Sequence, residues 1–233
     1  MNTNTERGYG ARIGNAQKLV QALESFSNYQ PAKPELSIAG INQQIAAIQN
    51  LNKEVVSKKQ AYSLAVENRL KVFVKNPDAI MMLLSPINAN VKVIYGKNSK
   101  EATDVAHIIE KMRGNNIMKS NDSKENTISQ SYQSFHSKIQ FFADLVANIS
   151  AFGNNYNPVN PKISVVSLKN IYNAAVAASN LIVESNAKFV LTNEKRINAY
   201  KVLSQNSLMV KESVKAQYGI RSSEYKLIRS LYI

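Results

Sequence analysis

Apolar residues recur along this chain at steps of three and four, the period of a helix that buries one face. The first long run carries Ile41, Ile45, Ile48, Val55, Tyr62 and Phe73 on one stripe, with Asn52, Lys59 and Arg69 or Leu70 at the intervening beats. Leu168, Tyr172, Ala175, Ile182, Phe189, Ile197 and Tyr200 form a second stripe of the same kind. Nothing between 36 and 75 interrupts the first run, which predicts one helix about 58 Å long at 1.5 Å per residue. A seven-residue beat held this far is that of a coiled-coil or bundle seam. Asn186 and Asn193 interrupt the second seam with polar side chains and mark a candidate hinge. Shorter amphipathic runs over 11–27 and 134–152 precede the two long ones.

These runs are two copies of one pattern. NYQPAKPELSI at 28–38 and NYNPVNPKISV at 155–165 share Asn, Tyr, both Pro and Ser at identical spacing, 127 residues apart. That offset continues downstream without a gap, pairing Ile41 with Leu168, Ala47 with Ala174, Val56 with Val183, Tyr62 with Phe189 and Phe73 with Tyr200. Glu67-Asn-Arg69 likewise meets Glu194-Lys-Arg196. VKVIYGKNSKE at 91–101 then matches VKAQYGIRSSE at 214–224, and Ile13, Leu19, Leu23 and Phe26 match Ile139, Leu145, Ile149 and Phe152. Self-similarity of this kind is the signature of repeat architecture, and the sequence predicts a tandem duplication.

Each copy reads as helix A, a turn, long helix B and helix C. In NYxPxxP the prolines forbid helix and hold the preceding residues extended. Ser37 or Ser164 then stands where its hydroxyl caps helix B. The copies diverge next: NPDAIMMLLSPIN at 76–88 predicts an Asn76 cap, Pro77 in the first turn and Pro86 as a stop, whereas 201–213 reads as continued helix. In YGxxSxE, Gly96 or Gly219 fits a left-handed helix end. Ser99 or Ser222 then caps helix C, with Glu101 or Glu224 in its first turn. Helix C is expected to run to about 112 in the first copy and to the last residue in the second.

Composition narrows the chemistry. Eight Gly and six Pro in 233 residues are few, which favours long helices over turn-rich strands. The absence of cysteine excludes disulfides, thiolate catalysis and Cys-based zinc sites. No apolar run of about 18 residues predicts a membrane span, and MNTNTERGYG lacks the apolar core of a signal peptide, so a cytoplasmic location is expected. The net charge of +13 divides evenly between the sequence halves, and a basic protein is drawn to polyanions.

Candidate chemistry is sparse. The repeated Glu67-x-Arg69 and Glu194-x-Arg196 offer charge, but residues two apart on a helix do not face each other, so each side chain is expected to pair with a neighbouring helix. Tyr29, Tyr156, Tyr95 and Tyr218 sit beside turns, where a ring packs and its hydroxyl bonds backbone. Asp104 and His107 form D-x-x-H on helix C, yet the second copy has Leu227 and Ser230 there, so no second pair completes a metal site. Gly8-Tyr-Gly10 through Gly14 has one residue too many for a dinucleotide fingerprint and no strand before it. Ser185-x-x-Lys188 lacks the companion motifs of serine acyl transferases. The apolar run Ala79-Ile-Met-Met-Leu-Leu84 reads as a short buried helix, with self-association or membrane insertion as alternatives.

The ending Tyr218, Gly219, Ser222, Glu224, Tyr225 resembles a YGxxSxEY motif of uncharacterised helical proteins of bacteria, Bacteroidetes-like ones in particular. Tyr95, Gly96, Ser99 and Glu101 repeat it, with Ala102 at the last position. The resemblance implies a bacterial origin and brings no activity with it.

The reading is an all-α bundle with coiled-coil-like helices, made of a tail at 1–10, one repeat at 11–113, a polar linker at 114–132 and a second repeat at 133–233. Helix B is expected to pack against helix B, since a long apolar seam must be covered. With no catalytic, cofactor-binding or metal residues and no cofactor indicated, the expected role is a non-enzymatic structural or interaction protein that binds protein, itself included. A basic nucleic-acid-binding protein is the alternative. A membrane-active helical protein is a second, with membrane the less expected partner.

Overall fold

The computed structural model describes residues 8–114 and 133–233, and these are helical throughout, with no strand among them. The order is α1 (Tyr9–Glu24), α2 (Ile38–Leu70), α3 (Ile80–Tyr95), α4 (Lys100–Arg113), α5 (Phe135–Ala151), α6 (Val165–Tyr218) and α7 (Ser223–Ile228). The all-α bundle expected from periodicity is the fold. Most of the tail at 1–10 and of the linker at 114–132 lies outside the described residues. No helix among the described residues is long and apolar enough to cross a membrane.

The turns form for the reasons their residues supply. Pro34–Leu36 and Pro161–Ile163 are single 3₁₀ turns, each opened by a proline that needs no amide donor there. The Tyr29 hydroxyl donates to the Leu36 carbonyl at 3.1 Å, and the Tyr156 hydroxyl to the Ile163 carbonyl at 2.9 Å. Ser37 Oγ accepts from the Gly40 amide at 3.0 Å and Ser164 Oγ from the Ser167 amide at 3.3 Å, capping α2 and α6. Ser99 and Ser222 cap α4 and α7 in the same way, accepting from the amides of Ala102 and Tyr225.

Several boundaries fall elsewhere than expected. Tyr9 and Gly10 belong to α1, not to a tail, because the Tyr9 ring is packed against Tyr200 at 4.5 Å between centroids. Asn76 and Pro77 do not open a helix. Lys71–Lys75 is a π-helical turn closed by the Asn76 amide on the Lys71 carbonyl, and α3 starts only after Ala79. Pro86 does not stop a helix but lies inside α3. The Met82 carbonyl that it leaves without a donor belongs to a face where Met82 and Ser85 are exposed, open to water. Gly96 has φ 93 and ψ 151, outside the left-handed helical region yet still reserved for glycine. The last helix, expected to reach the final residue, ends at Ile228, five residues before it. α6 runs unbroken through Asn186 and Asn193.

The chain divides into two compact units whose bounds differ from those of the repeats expected at 11–113 and 133–233. One unit comprises Met1–Gln60 with Ala187–Ile233, the other Ala61–Asn186. Each long helix therefore serves both: α2 gives 38–60 to the first and 61–70 to the second, and α6 gives 165–186 to the second and 187–218 to the first.

The first unit has a core of α1 residues Ile13, Ala16, Leu19 and Leu23, α2 residues Ile41, Ile45 and Ile48, and α6 residues Tyr200, Leu203, Val210 and Val214. Ile228 and Ile233 close it. Within it the two long helices run antiparallel: Asn206 donates to Gln44 at 3.0 Å, and one and a half turns earlier on α6 the Tyr200 hydroxyl accepts from Asn52 at 3.0 Å. The second unit has its own core from Phe73, Ile80, Leu84, Ile87, Val91, Val105, Ile109, Phe142, Leu145, Ile149, Leu168 and Ala175.

Gly40 distinguishes the two proline turns. A Cβ there would meet the Pro34 carbonyl and the Glu35 backbone, neither of which can swing aside. Ser167 occupies the corresponding place in α6 and sends its hydroxyl to the Pro161 carbonyl at 2.8 Å. Gly40→Ala is therefore expected to destabilise the protein by about 1–3 kcal/mol, outweighing a helix-propensity gain of about 1 kcal/mol. Ser167→Ala should cost less, about 1 kcal/mol, for the lost bonds to the Pro161 carbonyl and from the Ser164 hydroxyl. Urea denaturation of the two variants beside the parent checks the order.

Candidate functional site

The most concentrated polar chemistry in the first unit is built on α1 and α6. Tyr9 and Arg12 are three residues apart on one turn of α1, and Arg196 and Tyr200 four apart on α6, so each pair shares a helix face. The Tyr9 and Tyr200 rings meet at the centre, Arg196 lies over Tyr9 at 4.5 Å and Arg12 over Tyr200 at 4.9 Å. Arg12 also donates to the Tyr200 carbonyl at 3.1 Å, Arg196 to Asn193 Oδ1 at 2.5 Å, and the Tyr200 hydroxyl to the Tyr9 carbonyl at 3.2 Å. No carboxylate pairs with either guanidinium among the described residues. The ring faces take the counter-ion's place, each contact contributing about 0.5–2 kcal/mol.

The second unit carries a related stack. Arg69 lies over Phe135 at 3.9 Å, and Phe135 meets Phe73 edge-on at 4.9 Å. Tyr95 meets Phe152 at 4.9 Å, as Tyr218 meets Phe26 at 5.8 Å in the first unit. The buried Nε atoms of Arg12, Arg69 and Arg196 have no hydrogen-bond acceptor. This arrangement fixes helices; it offers no nucleophile, no general base and no open coordination position.

The residues singled out from the sequence are dispersed. Arg69 and Arg196 reach rings on neighbouring helices, as expected, but Glu67 pairs with Lys71 of its own helix at 3.7 Å. Asp104 is bound by Lys100 at 2.7 Å rather than by His107, which is exposed like His136. No group of three metal-ligating side chains occurs among the described residues. Ser185 is buried and donates to the Ile182 carbonyl of its own helix. Gly10 and Gly14 lie inside α1. Ala79, Ile80, Leu83 and Leu84 are buried in the second unit, which leaves only Met82 of that run well exposed. The run is spent on packing.

Two features escaped the sequence reading. Lys211 donates to the Leu231 carbonyl at 2.5 Å and to that of Arg229 at 3.4 Å, while Ser204 donates to Ile233 at 2.6 Å and Asn15 to Tyr232 at 2.8 Å. Burial holds the Lys211 ammonium below its ordinary pKa. An open depression of about 560 Å³ is lined by Ser27, Asn28, Gln30, Gln217 and Tyr218. Gln217 bonds both the amide and the carbonyl of Gln30 there. Neither feature has a motif that a single sequence displays.

No family model, curated protein or solved structure matches the chain.

Tyrosine burial gives the proline turns a measurable signature. Tyr156 is 5% exposed, and burial pushes its phenol up to about 12; burial also raises that of Tyr29. A folded-state pKa above the unfolded value of 10 means the native form holds its proton longer. The contribution of Tyr156 is thus complete below pH 10 and is lost as pH rises from 10 to 12. Tyr156→Phe should reduce stability at pH 7 by about 1 kcal/mol through the lost bond to Ile163 and flatten the alkaline decline. Chemical denaturation at pH 8 and pH 11 tests both parts, and an unchanged alkaline slope in the variant would contradict them.

Proposed function

We propose that the chain is a non-enzymatic structural or interaction protein, built on a duplicated helical unit and working by association with protein, itself included. One observation carries this reading: the residues that stand out in the sequence are spent on holding helices together, and they are spent the same way twice. Arg69 with Phe135 and Phe73 corresponds to Arg196 with Tyr9 and Tyr200; Tyr95 with Phe152 corresponds to Tyr218 with Phe26. The Tyr29 and Tyr156 bonds across the proline turns add a third correspondence. A sequence that keeps its arginines and tyrosines for matched packing positions is one whose product is the scaffold. Helix B against helix B, in a coiled-coil-like seam, is part of this reading and is supported by the antiparallel Gln44–Asn206 and Asn52–Tyr200 bonds. Light scattering from micromolar to millimolar protein is expected to show association. A strict monomer throughout, with nothing retained in a pull-down, would sink the proposal.

A second reading, nucleic-acid binding, is favoured by how charge divides between the compact units. Among the described residues the first unit holds 15 Lys/Arg against six Asp/Glu, and the second 11 against seven. Arg221, Lys226 and Arg229 are exposed together around α7. Under this reading a duplex of arbitrary sequence binds at low salt, and affinity falls linearly on a logarithmic scale with slope near −0.9 per phosphate contacted. Arg221→Gln, Lys226→Gln and Arg229→Gln together should make that slope shallower; no binding at low salt overturns the reading.

A further inference from the structure

Within the first unit α6 has a second face that its core does not use. Tyr200, Leu203, Val210 and Val214 are buried on one side. On the other, Ala187, Val190, Leu191, Ile197 and Leu208 recur at helical spacing and are all exposed. Leu191 and Leu208 stand more than half exposed, at 56% and 58%, and Ile197 at 46%. Glu194, Asn198, Lys201 and Gln205 fill the intervening places of the same stripe and are exposed too. Ala187, Glu194, Lys201 and Leu208 are seven apart in turn, as are Val190 and Ile197. Single exposed apolar side chains are ordinary on a protein surface, but a row at seven-residue spacing is the seam of a coiled coil. This row extends about 32 Å at 1.5 Å per residue.

The charges on the stripe say what fits it. No ion pair among the described residues holds Glu194 or Lys201. They lie two turns apart on one helix, about 10 Å, and cannot reach each other. A second copy of the stripe, turned end for end about an axis between Ile197 and Asn198, corrects this. Glu194 of each copy then faces Lys201 of the other, and both pairs form at once. Ala187 comes opposite Leu208 at either end, and the two Ile197 side chains flank the axis. A parallel copy would instead set Glu194 on Glu194 and Lys201 on Lys201, which repel. The charge order is thus self-complementary in the antiparallel sense alone, as an isologous two-fold interface requires.

We infer that the outer face of α6 over 187–208 is an interaction surface whose partner is the same face of a second copy, packed antiparallel. This rests on the assembly reading above and gives it a surface, a partner and a direction. One helix against one helix is a small interface among specific ones. Asn198 and Gln205 fix register at a cost in affinity. The pair therefore forms and separates reversibly, and each monomer keeps its own core intact.

Charge reversal in the full-length chain tests the geometry, with dimer affinity read by sedimentation equilibrium and helix content checked by circular dichroism. Glu194→Lys or Lys201→Glu alone sets like charges together at both pairs, and each should weaken the dimer about tenfold. Both substitutions in one chain should restore the parent affinity, and so should mixing the two single variants. The chain has no cysteine, so an introduced thiol reports without background. Asn198→Cys, beside the axis, should yield a disulfide-linked dimer on mild oxidation. Leu208→Cys, on the same stripe but about 16 Å from the axis, should not. Single reversals that bind like the parent, a double variant that stays weak, or linkage at 208 as ready as at 198 would each overturn the surface. If the parent still associates in those cases, the surface is wrong while the assembly reading survives. A parent that stays monomeric to millimolar concentration, with nothing retained in a pull-down, removes both.

Discussion

A 54-residue helix cannot be covered by the elements beside it in sequence. α6 extends about 81 Å at 1.5 Å per residue, and a helix of 16 or 17 residues covers only about a third of that. Its buried apolar positions fall in two groups, Leu168 to Ala178 and Tyr200 to Val214, so what lies against Leu168 cannot also lie against Val214. Each end needs its own cover, and the chain answers by dividing the helix between two cores. α2 meets the same demand over its shorter length. The division of each long helix between two compact units follows from that one requirement.

The arginine–aromatic stacks show how such a division is made specific. Aliphatic seams of Ile, Leu and Val tolerate sliding, because one branched side chain fits much like the next. A guanidinium resting on a ring does not slide, since moving one turn loses the ring and leaves a cation partly buried without a partner. Arg196 on Tyr9 and Arg69 on Phe135 thus set the position of α1 and α5 along the long helices. The tyrosine hydroxyls do comparable work at the proline turns, where Tyr29 and Tyr156 each bond a carbonyl seven residues on.

Much of this was legible in the sequence, and the division between what was and was not is physical. Local rules worked where the residue itself decides: the proline turns, the serine caps at 37, 164, 99 and 222, and the apolar stripe of α2. They failed where context overrules preference. Pro86 reads as a stop, but α3 continues through it because the carbonyl it frees lies on the wet side of a helix whose other face is buried. Tyr9 reads as part of a frayed tail, because its partner Tyr200 is 191 residues away and no local pattern reports that. The pairing of Glu67 with Lys71 rather than with another helix turned on side-chain reach. Which half of each long helix belongs to which core is a long-range property, written in pairs of residues and invisible to periodicity.

The separation of residues 8–60 from 187–233 also sets an order of events during synthesis. Ile41, Ile45 and Ile48 emerge early, but Tyr200 and Leu203, which cover them, follow about 150 residues later, a delay of roughly 8–30 s at 5–20 residues per second. The stretch 61–186 can complete its own core in that interval. Throughout it α1 and the first half of α2 carry an uncovered apolar face on every nascent chain, and neighbouring chains on one messenger carry the same face. The arrangement that closes the mature protein therefore gives its precursor a period of adhesiveness, longest for the segment made first.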